Sequence, residues 1–344
     1  MNWAITAFSV SIGIGTLLMT PIAAAQGKIK IKLADSFPAG HFTTVHATQP
    51  FMEKVKAKTN GAVEFEYFPA EQLGKAKDML QLLQSGLTDI AYVAPPYITE
   101  KLPLSAVATL PGGAPDACSA SLAYEKLAID GLLYQNEFKP NRVKPLYVIV
   151  TPPYALLTKT REVTSLEQAK GLKVRGAGAP VEAAMKSVGL VPVRISAPET
   201  HESLMRGTID GVMFPLTNVK SYDLQGLLRS ATKQLTFGAF VGTFSVSDQS
   251  WNRLPPDIRK ALTKAGEETT REVCQAYDNG SISAQKDLES AGIKFVDPDK
   301  SLVAAMQKAA EEVGGAWAKE LDGRGKAGSA VLKAYTEAVQ AQKK

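Results

Sequence analysis

The sequence predicts an α/β protein of two lobes. Two observations carry that expectation. From Lys28 to Val93, strand-like and helix-like segments alternate in the β-α-β-α-β order of a parallel sheet covered by helices. A second alternating set begins near Tyr147, and a chain of 344 residues is too long for one typical core.

Lys28 to Ala34 alternates lysine with apolar residues, the two-residue period of a half-buried strand. Phe42 to Lys58 carries Phe51 and Val55 at helical spacing, and Val63 to Phe68 alternates again. Leu73 to Gln84, rich in Leu and Met, reads as a helix ended by Gly86, and Asp89 to Val93 as a short apolar strand that stops at Pro95-Pro96. In the second set the strands are Ala155 to Thr158, Lys173 to Arg175, Val191 to Arg194 and Gly211 to Phe214; Val181 to Val188 and Thr200 to Arg206 are the helices. Phe240 to Val246 reads as a strand returning to the first sheet. Residues 256 to 289 keep a helical pattern without internal proline, although Asn279-Gly280 would by propensity divide it into two helices. Lys294 to Val296 is a small edge strand, and Ser301 to Glu320 and Ala327 to Gln342 are amphipathic helices.

Composition excludes several functions. Net charge is +5 with both signs mixed along the chain, and no Lys/Arg run resembles a nucleic-acid surface. Three histidines, two cysteines and no C-x-x-C give no metal-ligand spacing, so neither metal nor cofactor is expected. No nucleophile–base pattern or G-x-S-x-G stands out, and Gly176-Ala177-Gly178 lacks the third glycine of a dinucleotide loop, so the chain is read as a non-enzyme. Residues 1–25 read as a secretory signal: Trp3 to Met19 is apolar, Pro21 breaks the run, and Ala23-Ala24-Ala25 offers cleavage before Gln26. The segment has no Lys or Arg, a departure from the usual signal. Export to an oxidising compartment permits a disulfide, but Cys118 and Cys274 are far apart and are read as separately buried thiols.

The strongest pointer to chemistry is Gly171-Leu172-Lys173-Val174-Arg175, followed by the Gly176 to Gly178 turn and a helix opening at Ala179-Pro180-Val181. An arginine at a strand end, facing a helix N-terminus across a glycine turn, suits an anion. With Tyr67-Phe68-Pro69-Ala70-Glu71-Gln72-Leu73-Gly74, Gly86-Leu87-Thr88-Asp89-Ile90, Leu166 to Arg175, Gly207-Thr208-Ile209-Asp210-Gly211 and Leu254-Pro255-Pro256-Asp257-Ile258-Arg259, the chain resembles the DctP-type solute-binding proteins of TRAP (tripartite ATP-independent periplasmic) transporters. The resemblance runs from about Lys30 to Tyr335. It implies a two-lobed periplasmic binding-protein (Venus-flytrap) fold whose long helix, about 256–289, spans both lobes. Lobe I is then 26–149 plus 239–270, and lobe II is 150–238 plus 271–344. It also implies a periplasmic protein that delivers an organic acid anion to the membrane subunits of a TRAP transporter, with Arg175 pairing with the carboxylate; a monomer is the default for a mobile two-lobed receptor.

Departures from the family pattern bear on the ligand. Sialic-acid-type members place an asparagine where this chain has Phe214, an arginine near Tyr154-Ala155, and polar residues where it has Ala94-Pro95-Pro96-Tyr97. Aromatic walls around one cation suit an aromatic or apolar monocarboxylate, 2-oxo acids included. A C4-dicarboxylate or other short acid is the alternative; it needs a second cation, for which only Arg194 and Lys159 are on offer. A third reading makes the loaded protein the partner of a membrane signalling receptor. Candidate ligand residues are Arg175, Phe214, Tyr154, Tyr97, Phe37, His41, Ser36 and Asn218. Gln72 and Tyr222 are weaker candidates, and His46 and His201 carry no special spacing.

Overall fold

A computed structural model describes residues 28–233 and 235–342, besides Met1 and Trp3. The signal segment and its cleavage site therefore lie almost wholly outside the described residues.

Strands β1 (Ile29–Ala34), β2 (Val63–Phe68), β3 (Ile90–Val93) and β4 (Val143–Val150) build the first sheet. The chain then leaves it for β5 (Ala155–Thr158), β6 (Lys173–Gly176), β7 (Val191–Arg194), β8 (Gly211–Phe214) and β9 (Ser230–Thr232) of a second sheet. It returns with β10 (Val241–Ser247), while β11 (Lys294–Val296) closes the edge of the second sheet. The orders are β2-β1-β3-β10-β4 and β11-β9-β5-β8-β6-β7. Residues 147–150, expected to open the second set, thus belong to the first sheet, where β4 pairs antiparallel with β10.

The register explains where a ligand must sit. Strands β1 and β3 are parallel, with Ala34 opposite Ala91, so Ser36-Phe37 and the Ala94–Tyr97 turn emerge at the same sheet edge. Strand β10 is antiparallel to β3, which brings Phe240, just before β10, to that edge. In the second sheet β6 and β8 are parallel, so Arg175 and Phe214 share a carboxyl edge. Strand β5 runs antiparallel to β8 with Ala155 opposite Phe214, which sets Tyr154 beside Phe214. The two carboxyl edges face one another, the usual ligand position of open α/β sheets.

The helix Pro256–Ser290 is continuous, not divided at Asn279-Gly280. Its glycines mark close approaches rather than breaks. A Cβ at Gly266 would stand 2.0 Å from the Leu146 carbonyl oxygen, so the helix lies directly on the backbone of β4. A Cβ at Gly280 would meet the Phe42 ring at 3.1 Å and Thr217 at 3.5 Å, one residue from each lobe. Tertiary packing here outweighs the helix propensity of glycine. The expected helix from Leu73 starts later, as a 3₁₀ turn Ala76–Asp78 leading into Met79–Gln84. Ala70 and Glu71 take positive φ, and the Glu71 carboxylate accepts from Ala76 N at 2.7 Å, which holds the loop before it.

Cys118 and Cys274 are joined in a disulfide, correcting the expectation of separate thiols. The reason is a contact between two segments far apart in sequence. Asp278 on the long helix accepts from Ala117 N (2.8 Å) and Cys118 N (3.1 Å), so it caps helix Ala117–Ile129 and docks the two helices. The cysteine Cα atoms are then 4.6 Å apart, within bonding reach. The C-terminal helix Gly328–Ala341 packs on helix Ala117–Ile129, beside the first sheet, although the expected boundaries put residues 271–344 in lobe II.

Candidate functional site

Between the facing sheet edges lies a narrow cavity, with about 30 Å³ open to the centre of a water-sized sphere. The eight candidates Arg175, Phe214, Tyr154, Tyr97, Phe37, His41, Ser36 and Asn218 all line it, as does Tyr222. Gln72 does not; its backbone closes a turn on Pro69. Of the other two histidines, His46 packs at a tilt against Phe42 and His201 contacts the Asp223 carbonyl, and neither lines the cavity.

Arg175 is only 1 % exposed. Its Nε donates to the Ile195 carbonyl (3.0 Å) and Nη1 to the Met213 carbonyl (3.1 Å), which fixes the guanidinium plane. Nη1 also reaches the Tyr154 hydroxyl (3.4 Å) and Nη2 the Tyr97 hydroxyl (3.3 Å). The Phe214 ring centroid is 5.0 Å from Cζ, a cation–π distance. Among the described residues no carboxylate forms an ion pair with it. A desolvated cation held only by neutral oxygens and a ring is costly without an anion. Arg175 is also the one charged side chain among the described lining residues.

Tyr97 joins the two sheets. Its oxygen accepts from Arg175 and from Ala197 N (2.8 Å), while the residue itself sits on the turn after β3. Neither the Tyr97 nor the Tyr154 hydroxyl donates to an acceptor among the described residues, so both protons remain for a ligand. Burial pushes the Tyr154 phenol up to about 12, which keeps that proton in place.

At the other side, His41 stacks on Phe37 (ring centroids 4.3 Å) and meets the edge of Tyr222 (5.0 Å). Burial lowers the imidazole to about 3, so the ring is neutral. Asn218 Nδ2 donates to the Tyr277 hydroxyl at 3.5 Å, and Thr43 Oγ1 lies 2.9 Å from the same oxygen. Tyr277, on the long helix, was not among the candidates, nor were Tyr92 and Phe240. The available signal for Tyr277 was its place four residues after Val273 on the buried face of that helix. Among the described residues, eight phenylalanine and tyrosine side chains line the cavity.

The family model of the bacterial extracellular solute-binding proteins, family 7 (DctP), matches residues 34–320. This chain belongs to that family. It is a solute-binding protein of the TRAP type. The C4-dicarboxylate-binding periplasmic protein DctP of Rhodobacter capsulatus is 27% identical over 258 residues, covering 69% of this chain and 72% of the relative. A marine metagenome TRAP solute-binding protein specific for aromatic acids, in complex with 3-hydroxybenzoate, superposes with a TM-score of 0.86. It is 23% identical and covers 92% of this chain and 100% of its own. A TRAP solute-binding protein from Rhodoferax ferrireducens with copurified benzoate gives 0.83 at 22% identity, covering 91% and 98%. The two solved neighbours share the fold of this TRAP protein: two α/β lobes with a long helix.

Proposed function

We propose that this TRAP solute-binding protein captures an aromatic or otherwise apolar monocarboxylate by pairing the carboxylate with Arg175. The observation that carries the reading is a buried, anion-free guanidinium in an aromatic cavity. A carboxylate there would accept from the one Arg175 N–H without a partner among the described residues, on Nη2, and from a second N–H in place of the Tyr97 or Tyr154 oxygen, while those hydroxyls donate to it. The ring or chain of the acid would lie against Phe214, Tyr222 and Phe37. Micromolar affinity corresponds to about −8 kcal/mol. One ion pair does not supply that net of association costs, so apolar burial supplies much of it.

A C4-dicarboxylate, the ligand class in the name of the Rhodobacter relative, is the second reading. It suits this cavity less well, because a second carboxylate meets no second cation among the described lining residues. Lys159 donates to the Leu204 carbonyl (2.9 Å), and Arg194 pairs with Glu182 (2.7 Å). The aromatic acids held by the two structural neighbours are consistent with the first reading, although those chains inform mainly on the fold.

In this reading the protein acts in the periplasm after loss of residues 1–25, as a monomer, without turning its ligand over. The lobe built on the first sheet closes on the lobe built on the second, and contacts made only when both lobes touch the ligand drive closure. The closed, loaded form then passes the acid to the membrane subunits of a TRAP transporter. The test is a calorimetric panel on residues 26–344: benzoate, phenylpropenoate and aryl 2-oxo acids against C4-dicarboxylates and sugar acids. Heat of binding from the aromatic acids alone supports the reading; binding of dicarboxylates alone overturns the ligand class. Uptake that depends on the protein while gene induction does not separates delivery to a transporter from signalling.

A further inference from the structure

We infer that His41 makes the site select aromatic acids that carry a neutral oxygen acceptor, a ring hydroxyl or ether, remote from the carboxylate. This rests on the carboxylate-at-Arg175 reading above and adds the second pole of the ligand.

His41 is 1 % exposed and lines the cavity. Its Nδ1 accepts from Thr43 N at 3.0 Å, so the ring proton sits on Nε2. That Nε2–H is fully buried and has no hydrogen-bond partner among the described residues. A buried donor without an acceptor is costly, and an acceptor brought by a ligand recovers the loss. The donor is held rigidly: Phe37 stacks on one face of the imidazole, and Tyr222 closes on it edge-on.

Its position relative to Arg175 determines the ligand. From His41 the chain of ring contacts runs to Tyr222 (5.0 Å), from Tyr222 to Phe214 (5.6 Å), and from Phe214 to the guanidinium (5.0 Å). The donor and the anchor therefore line one cavity and are linked through two aromatic rings. An acid that reaches both poles has a flat apolar body with its carboxylate at one end and its acceptor at the other.

The acceptor must be neutral. Nδ1 is already engaged by a backbone donor, so His41 takes up a second proton only by losing that bond and setting two N–H groups against each other. No other charged side chain among the described lining residues would compensate an anion there. A second carboxylate would be buried without a counter-charge, whereas a phenol or ether oxygen asks only for the one donor present.

The experiment compares matched acids by calorimetry: benzoate with its 2-, 3- and 4-hydroxy and 3-methoxy derivatives, and phenylpropenoate with its ring-hydroxylated forms. Three proteins are used. In His41→Asn the amide oxygen takes the place of Nδ1 and keeps the Thr43 partner, while the distal donor is removed. In His41→Gln the amide nitrogen restores a donor near Nε2. At least one hydroxylated isomer should bind wild type about tenfold tighter than its parent acid. That preference, read on each protein as the ratio of the oxygenated acid's affinity to its parent's, should vanish in His41→Asn and return in part in His41→Gln. Parent and oxygenated acids binding wild type equally would overturn the proposal and leave the Arg175 reading standing. So would a preference that survives in His41→Asn. Failure of every aromatic acid to bind wild type would overturn both.

Discussion

Replacing Arg175 by methionine keeps side-chain bulk and removes the charge. A bound carboxylate then loses two charge-assisted hydrogen bonds, about 1.5–3 kcal/mol each. The sum, about 3–6 kcal/mol, weakens binding by roughly 10²- to 10⁴-fold. The loss belongs to the ligand's charge, which a neutral isostere isolates. Benzamide lacks the anion, so its already weak binding should change by less than about threefold under the same substitution. Calorimetry of benzoate and benzamide on wild type and Arg175→Met closes the cycle, with circular dichroism to confirm the fold. The Ile195 and Met213 carbonyls lose a donor in the variant, so some fall in melting temperature is expected. Benzoate binding within tenfold of wild type would refute the reasoning, as would an equal loss for benzamide.

Three further outcomes follow from the framework around the site. Replacing both Cys118 and Cys274 by serine should lower unfolding free energy by about 2–5 kcal/mol in denaturant melts, with the affinity for a bound acid unchanged; an affinity loss would tie the staple to the site. Gly266→Ala places a Cβ 2.0 Å from the Leu146 carbonyl oxygen and should cost about 1–3 kcal/mol or more by calorimetric melting; an unchanged melt would mean that the helix is free to lift from β4. Burial moves His41 from 6.5 down to about 3 and Asp35 from 3.8 up to about 6. The unfolded chain therefore takes up the His41 proton first, and stability present at neutral pH is lost as pH falls through 6.5 towards 3. Asp35 has the opposite sign: its penalty for ionising in the fold is present above about pH 6 and disappears as pH falls towards 3.8. Relative to wild type, His41→Asn should gain about 2 kcal/mol of stability between pH 7 and pH 5; parallel pH profiles would contradict a buried neutral imidazole.

Most strands and helices, the return of β10 to the first sheet and the place of Arg175 at a strand end were legible because strand periodicity and the Gly-Leu-Lys-Val-Arg segment are local signals; the sheet to which β4 belongs was not, since β10 decides it. So were Phe214, Tyr154 and Tyr97, each at or next to a strand end. Less legible was anything set by contact between distant elements. The continuity of the helix through Gly280 depends on Phe42 and Thr217, residues far away in sequence. The disulfide depends on Asp278 capping a helix that starts some 160 positions earlier. Tyr277 reads in the sequence as one more buried residue of an amphipathic helix; only the approach of Thr43 and Asn218 makes it part of the cavity wall. The orphan Nε2–H of His41 was likewise invisible, since it follows from a backbone donor two residues away claiming the other nitrogen.

The central claim is that the carboxylate of an apolar acid rests on Arg175. A crystal structure of residues 26–344 with benzoate tests it most directly. The account predicts both carboxylate oxygens within hydrogen-bond distance of the Arg175 guanidinium, one also reached by the Tyr97 or Tyr154 hydroxyl, and the ring against Phe214 and Tyr222. Benzoate bound with its carboxylate away from Arg175, or an empty cavity at saturating benzoate, would contradict it.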